Sequence, residues 1–307
     1  MPEVVLQGLQ SGEVDAAGLL ELIAPELAAR TASSSDERQS PRVADEDSNR
    51  RFFPDRASVP DPPACRGAIF GYPAPGKIGI VYPASIDADL GANAMAGLYQ
   101  RLDEFLAARG CKILQAMVDV ADPDADTVLR SMNYACLGQI AFLVADNLRD
   151  LPCPMPAAVR LVAIADAGHL DLPDLVLRTY QGSLDCPEID GVRAIEDVLD
   201  GYRATGVTAD RHWQLLLCDD RPAGCLLLGE HKLHQWELIY MGVEPKSRGC
   251  GLGELMVDFA KTYAARHGAL AMSLAVDTRN TPALRVYRQR GFREWIRRQV
   301  YFKVLNR

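Results

Sequence analysis

The stretch Val243-Glu244-Pro245-Lys246-Ser247-Arg248-Gly249-Cys250-Gly251-Leu252-Gly253 decides how this chain is read. Glycines at 249, 251 and 253 let the backbone come close to an anion, and Leu252, Leu255, Met256, Phe259, Ala260 and Tyr263 then form an apolar stripe at helical spacing. A helix that starts at such a turn aims its free amides and the positive end of its dipole at the same point. The pattern predicts a strand, a phosphate-binding turn and a helix over Leu252–Arg266. Two common phosphate sites are excluded. Glu254-Leu255 follows the last glycine where a P-loop carries Lys-Ser/Thr, and the dinucleotide spacing with an acidic residue on the next strand is missing.

Arg248, Gly251 and Gly253, placed after a strand ending in Val243 and Pro245, resemble motif A of the GCN5-related N-acetyltransferases. The run Asn280-Thr281-Pro282-Ala283-Leu284-Arg285-Val286-Tyr287-Arg288-Gln289-Arg290-Gly291-Phe292 resembles that family's motif B, with its asparagine, tyrosine and terminal Gly-Phe. The resemblance implies acetyl-CoA as acyl donor and an α/β (α+β) fold, a mixed, mostly antiparallel sheet flanked by helices. The coenzyme would lie where two central parallel strands splay apart. Arg248, Gly249, Cys250, Gly251, Leu252, Gly253 and Asn280 are the implied coenzyme contacts, with Arg248 donating to phosphate. Met241, Gly242 and Val243 are the implied acyl and pantetheine contacts, and Gly242 suits a bulge. Cys250 receives no nucleophilic role, because members with this motif transfer the acyl group directly.

Composition agrees with a globular enzyme. A length of 307 residues suggests about two domains of ~150. The formal charge of −8 disfavours general nucleic-acid binding, although the tail from Arg285 onward is locally basic. No run approaches the roughly 20 apolar residues of a membrane span, which makes a cytoplasmic location the default expectation. The eight cysteines form no CxxC pair, so neither a zinc site nor a disulfide framework is expected.

The chain also contains a partial copy of itself. Leu106-Ala107-Ala108-Arg109-Gly110, then Ile113 to Asp119, parallels Ala264-Ala265-Arg266-His267-Gly268, then Ala271 to Asp277, with Gly110 and Gly268 standing 158 residues apart. Two GNAT-like domains are the simplest account: 1–150, with 31–61 a mobile loop, and 157–307, joined by the proline-rich linker 151–156. At the same offset Arg248 to Gly253 meets Leu90 to Met95, and Tyr287 meets Leu129. The first copy has therefore lost the cradle and the tyrosine, leaving it packing, pocket closure or dimerisation. The tandem layout resembles that of the mycothiol synthases.

In the second half the pattern predicts the order βααβββαβαβ. Acetyl transfer to an amine needs a neutral amine, stabilisation of the oxyanion and a proton for the departing thiolate. Glu237, six residues before Val243, stands where several acetyltransferases carry their base, and the resemblance implies that role for it. Tyr287 follows Asn280 by seven residues, about two helical turns, so both project from one helix face. Its phenol, with a reference pKa near ~10 against ~8.5 for a thiol, suits the role of acid. Asn280 before Thr-Pro is equally a helix cap. The resemblance implies that the segment Tyr180 to Asp190 forms a wall of the substrate pocket, with Tyr180 and Asp185 as acceptor contacts and Glu188 and Asp190 nearby. His231 and His234 flank a strand turn without metal-site spacing and read as structural. The sequence thus points to an N-acetyltransferase acting on a small-molecule amine, as a monomer or homodimer, with no metal. Acetylation of a peptide or protein amine, and a non-catalytic acyl-CoA sensor or scaffold, stay open.

Overall fold

The computed structural model describes residues 67–86, 91–146, 148–167 and 171–305. The expected loop 31–61 and cradle position Leu90 lie outside them. In chain order the elements are β1 (Gly67–Ala74), β2 (Ile78–Ile86), α1 (Gly91–Ala108), β3 (Ile113–Asp119), α2 (Pro123–Ser131), β4 (Ala135–Asp146) and β5 (Val159–Ala163). Then come α3 (Leu172–Tyr180), α4 (Ile195–Arg203), β6 (Gln214–Cys218), β7 (Arg221–Glu230), β8 (Gln235–Val243), α5 (Leu252–Arg266), β9 (Ala271–Asp277), α6 (Thr281–Gln289) and β10 (Arg293–Val304).

The chain divides into two compact units, Met1–Gly71 with Pro83–Glu104, and Tyr72–Tyr82 with Phe105–Arg307. In the smaller, α1 buries Tyr99 and Leu102, and the Ala84 amide donates to the Tyr99 hydroxyl at 3.2 Å. In the larger, helices cover a mixed sheet. The strand order is β1-β2-β3-β10-β4-β9-β8-β7-β6-β5. The pairs β2/β3 and β8/β9 are parallel, and the ladder runs antiparallel from β3 through β10 and β4 to β9 and from β8 through β7 and β6 to β5. Strand β7 carries the apolar run from Ala223 to Leu228, buried on both faces as a central strand requires.

The repeat seen in the sequence recurs in the elements. From Ile113 to Ala271 is 158 residues, and at that offset β3, α2 and β4 return with the same lengths as β9, α6 and β10. The pairing, however, crosses between the halves. Strand β10 lies between β3 and β4, while β4 also pairs with β9. Arg298 opposite Asp119 and Ile140 opposite Asp277 are the same pair in the two repeats, and Ile140 faces its own counterpart Arg298. A local twofold therefore passes between β4 and β10. The sequence halves 1–150 and 157–307 share one sheet.

Packing fixes this arrangement. On one face Leu143, Leu226, Met272 and Leu274 meet Met256, Val257 and Ala260 of α5. On the other, Leu215, Cys225 and Leu227 meet Leu175 and Val176 of α3 and Leu199 of α4. The segment after β4 runs along α5, where the Thr262 hydroxyl donates to Leu151 O at 3.1 Å and Arg266 Nε to Asp150 Oδ1 at 2.7 Å. Among the described residues no helix is long and apolar enough to cross a membrane, and every cysteine is a free thiol.

Cutting the chain tests the exchange. Residues 157–307 alone keep β10 but lose both of its partners, and β9 loses β4. This fragment is expected to be insoluble or to lack a cooperative melt by circular dichroism, and to fold when co-expressed with residues 1–156. A fragment that melts cooperatively by itself would show that the exchanged strands are dispensable.

Candidate functional site

Strands β8 and β9 pair only from Gln235 to Glu237, opposite Ala271 to Ser273, and then part. The Glu244 amide donates to Ala223 O at 2.8 Å, which sets the phase of the β7/β8 ladder. Because bonding alternates along an antiparallel ladder, Tyr240 and Gly242 turn their amides to β7, and Met241 and Val243 turn theirs into the gap. Of the three expected acyl contacts, then, two present amides to the gap and Gly242 does not. The expected bulge at Gly242 is also displaced. The register shift falls between Leu227, opposite Tyr240, and Leu228, opposite Leu238, so Ile239 is the extra residue. Gly242 is glycine for a different reason: a Cβ there would stand 2.5 Å from Thr179 Oγ1 and 2.6 Å from the Tyr240 hydroxyl.

At the open end of the gap the chain turns through Gly249 (φ 80°) and Gly251 (φ 78°) into α5, which Leu252 anchors in the core. The first helical bond runs from Leu255 N to Gly251 O. The amides of residues 249–254 find no acceptor among the described residues, and a Cβ on Gly249 or Gly253 would stand in open space. Successive amides around left-handed glycines at a helix start form an anion-binding concavity. The residues present therefore fit a pyrophosphate. Cys250 is exposed, its Sγ 3.7 Å from Arg248 O. The Arg248 guanidinium, expected with its backbone as a donor to phosphate, forms a strut. It donates to Val243 O (3.0 Å), Gly182 O (3.2 Å) and Thr179 O (2.8 Å), joining the end of β8 to the end of α3.

Glu237 sits at the closed end of the gap with its side chain 26 % exposed, and its Oε2 lies 3.0 Å from His231 Nε2. Trp236 and Leu238, its chain neighbours, bury themselves on the α5 face. Tyr287 is 6 % exposed, edge-on to Phe292 at 5.9 Å, and its hydroxyl has no hydrogen-bond partner among the described residues. Burial, and then the nearby Asp185 carboxylate, push its phenol well above the ordinary range, so it stays protonated at neutral pH. Asn280 is the N-cap of α6, its Oδ1 accepting from Ala283 N at 3.3 Å.

The segment after α3 is fastened to the end of β9. Asp185 Oδ1 accepts the Asp277 amide at 2.8 Å; the protein packed around Asp185, although it keeps an edge in solvent, raises its carboxyl above the usual range. Asp277 is 1 % exposed. Burial alone would raise its carboxyl, but bonds from Arg279 Nη2 (2.6 Å), Arg279 N (2.8 Å) and Cys186 N (3.3 Å) hold it below the ordinary range. Arg279 also grips Glu188 with both terminal nitrogens. Asp185 and Glu188 thus hold the segment after α3 in place through bonds to the protein.

Tyr180, expected at the acceptor, belongs to a cluster. Its hydroxyl lies 3.0 Å from that of Tyr202, and its ring is edge-on to Tyr240, on which Tyr202 stacks at 5.6 Å. Burial raises the Tyr180 phenol to about 12. Thr179 gives its one hydroxyl proton to Val176 O, so the Tyr240 phenol donates to Thr179 Oγ1 at 2.7 Å. Tyr202, Tyr240, Asp277, Arg279 and His231 were not foreseen as site residues. The one available signal was Asp277, which closes its strand as Asp119 does in the repeat.

Residues 179–292 match the acetyltransferase (GNAT) family. Over 59 residues the chain is 37 % identical to the mycothiol acetyltransferases of Acidothermus cellulolyticus and of Arthrobacter sp., a stretch covering 19 % of this chain and 18 % of each relative. The match spans less than a fifth of those relatives. A GCN5-related N-acetyltransferase from Sphaerobacter thermophilus superposes with a TM-score of 0.52 at 18 % identity, over 79 % of this chain and 78 % of that one. A GCN5-related glucosamine N-acetyltransferase region of a fungal multi-domain GH3 β-N-acetylglucosaminidase gives 0.52 at 13 % identity, over 77 % and 31 %. At these identities the likeness is one of fold. Through residues 179–292, the chain is similar to the acetyltransferase (GNAT) family.

Proposed function

We propose that the chain is an acetyl-CoA-dependent N-acetyltransferase that acetylates a primary amine of a small-molecule acceptor by direct attack in a ternary complex. The observation that carries this reading is the row of unpartnered amides at 249–254, at the mouth of a strand gap that has a carboxylate at its closed end. The amides take the pyrophosphate. Those of Met241 and Val243 face the thioester carbonyl and stabilise charge that develops on its oxygen. Glu237 accepts a proton from the acceptor ammonium; the free amine forms its N–C bond as the C–S bond breaks, and its nitrogen then releases a second proton to solvent to leave the amide. Tyr287, protonated at rest, gives the departing thiolate its proton and regains one from solvent. The tyrosine cluster and the segment tied by Arg279 form the acceptor wall.

The first half supports a single site per chain, within a layout of two GNAT-like domains. Helix α1 begins at Gly91, the counterpart of Gly249, so helix occupies the place of the cradle. Leu129 replaces Tyr287, and by the pairing of β2 with β3, Ile80 replaces Glu237.

Calorimetry with acetyl-CoA is expected to give one site per chain, lost when Gly251 and Gly253 are both changed to Glu, because a side chain would fill the cradle and oppose the phosphates. Two sites would contradict the single-site reading, and no binding would remove the basis of the acetyltransferase reading. In steady-state assays over a panel of small amines and N-terminal peptides, Glu237→Gln and Tyr287→Phe are each expected to lower kcat by about 10²- to 10⁴-fold while acetyl-CoA binding is kept. Wild-type kcat at every pH in either variant would withdraw that residue's role, and turnover confined to peptides would replace the small-molecule acceptor.

A further inference from the structure

We propose that His231 is the positioning residue of the reaction: its imidazole holds Glu237 Oε2 and leaves Oε1 for the acceptor's proton. This rests on the reading of Glu237 as base. The imidazole Nε2 lies 3.0 Å from Oε2, with the two side chains 10 % and 26 % exposed. An ionised carboxylate only accepts hydrogen bonds, so the bond requires the proton on Nε2. A glutamate has three side-chain torsions; one fixed oxygen removes most of that freedom before the acceptor arrives.

The backbone around His231 is held from two sides. Its amide donates to Gln235 O at 2.8 Å, closing the β7/β8 turn. The residue before it, Glu230, accepts the Val207 amide at 2.8 Å, and Gly206 fits there because a Cβ would stand 2.5 Å from Glu230 O. The imidazole is thus fixed to the hairpin that carries Glu237, and motion of the acceptor wall need not disturb the pair.

The chain supplies an internal control. The β1/β2 turn carries the same left-handed pair, Gly76 (φ 79°) and Lys77 (φ 57°), where the β7/β8 turn has Leu233 (φ 60°) and His234 (φ 58°). The Lys112 amide donates to Lys77 O as the Leu270 amide does to His234 O. In this register Ala74 replaces His231 and Ile80 replaces Glu237. The turn forms without a histidine, so the fold does not demand one. The imidazole is absent from the half that lacks the carboxylate.

The test uses the full chain with His231→Ala, His231→Gln, Glu237→Gln and the double variant His231→Ala/Glu237→Gln. His231→Ala is expected to lower kcat about tenfold or more, with acceptor KM and acetyl-CoA affinity unchanged. His231→Gln, whose amide can donate to Oε2, should recover most of the loss. In the Glu237→Gln background, His231→Ala should cost nothing further. A kcat for His231→Ala within twofold of wild type, or the same loss in both backgrounds, would overturn the proposal. Nitrogen-15 spectra of the resting protein give a readout free of turnover. The Nε2–H form, perturbed by Glu237→Gln, is expected; a neutral ring protonated on Nδ1 would overturn it even if no acceptor is found. Loss of activity in Glu237→Gln beside an unaffected His231→Ala would spare the function and reject the positioning role alone.

Discussion

The gap between β8 and β9 is possible only because the far edge of β9 is paired along its whole length with β4. Parallel strands that separate after Glu237 leave backbone groups of both without ladder partners, and each missing ladder bond forgoes about 1 kcal/mol net. Strand β9 tolerates this because its other edge, Ala271 to Asp277, is in register with Asp146 to Ile140. The strand that holds the gap open comes from the first half of the chain, and in exchange β10 fills the place beside β3. The site of the second half is thus built on a strand of the first.

From that fixed β9 the segment after α3, proposed as the acceptor wall, takes its position. Asp277, the last residue of β9, collects the Asp185 and Cys186 region on one side and Arg279 on the other. The buried carboxylate is held by the Arg279 guanidinium and by two backbone amides, so the pair is a stiff joint. At its other end the same wall is tied through Arg248 to the last residue of β8. Arg248 adjoins the first glycine of the cradle, so the turn that would meet the phosphates and the wall that would meet the acceptor share one side chain.

Local chemistry was legible in the sequence; long-range pairing was not. Helix α5 from Leu252 to Arg266 and strand β5 from Val159 to Ala163 follow from apolar periodicity and their bounding turns, and the glycine cradle follows from spacing. Asn280 as a cap follows from the Asn-Thr-Pro order. The exchange of β4 and β10 leaves no such trace, since both strands carry the same kind of pattern and either partner would satisfy it. The role of Arg248 was missed because a guanidinium beside glycines suits phosphate and carbonyls equally well, and only the nearby end of α3 decides. Tyr240 was hidden by the bulge at Ile239, which puts two consecutive residues on the α3 face where strict alternation puts one.

The two halves have kept what the shared sheet requires and diverged elsewhere. Asp119 and Asp277 both end the third strand of their repeat, but Asp119 pairs with Arg298 of β10 at 2.8 Å, whereas Asp277 is enclosed by Arg279 and the acceptor wall. The left-handed pair at the hairpin turn persists in both, because the turn geometry sets the register of the strands that follow. Glycine cradle, carboxylate and tyrosine are absent from the first half, where helix, Ile80 and Leu129 stand in their places. The pairing does not need them, since Ile80 still stands opposite Gln115 on β3 and Leu129 lies on α2. Losing the half itself would be a different matter: it would strip β9 of its paired edge and β10 of both neighbours. The half without the glycine turn is therefore part of the scaffold that holds the candidate site in place.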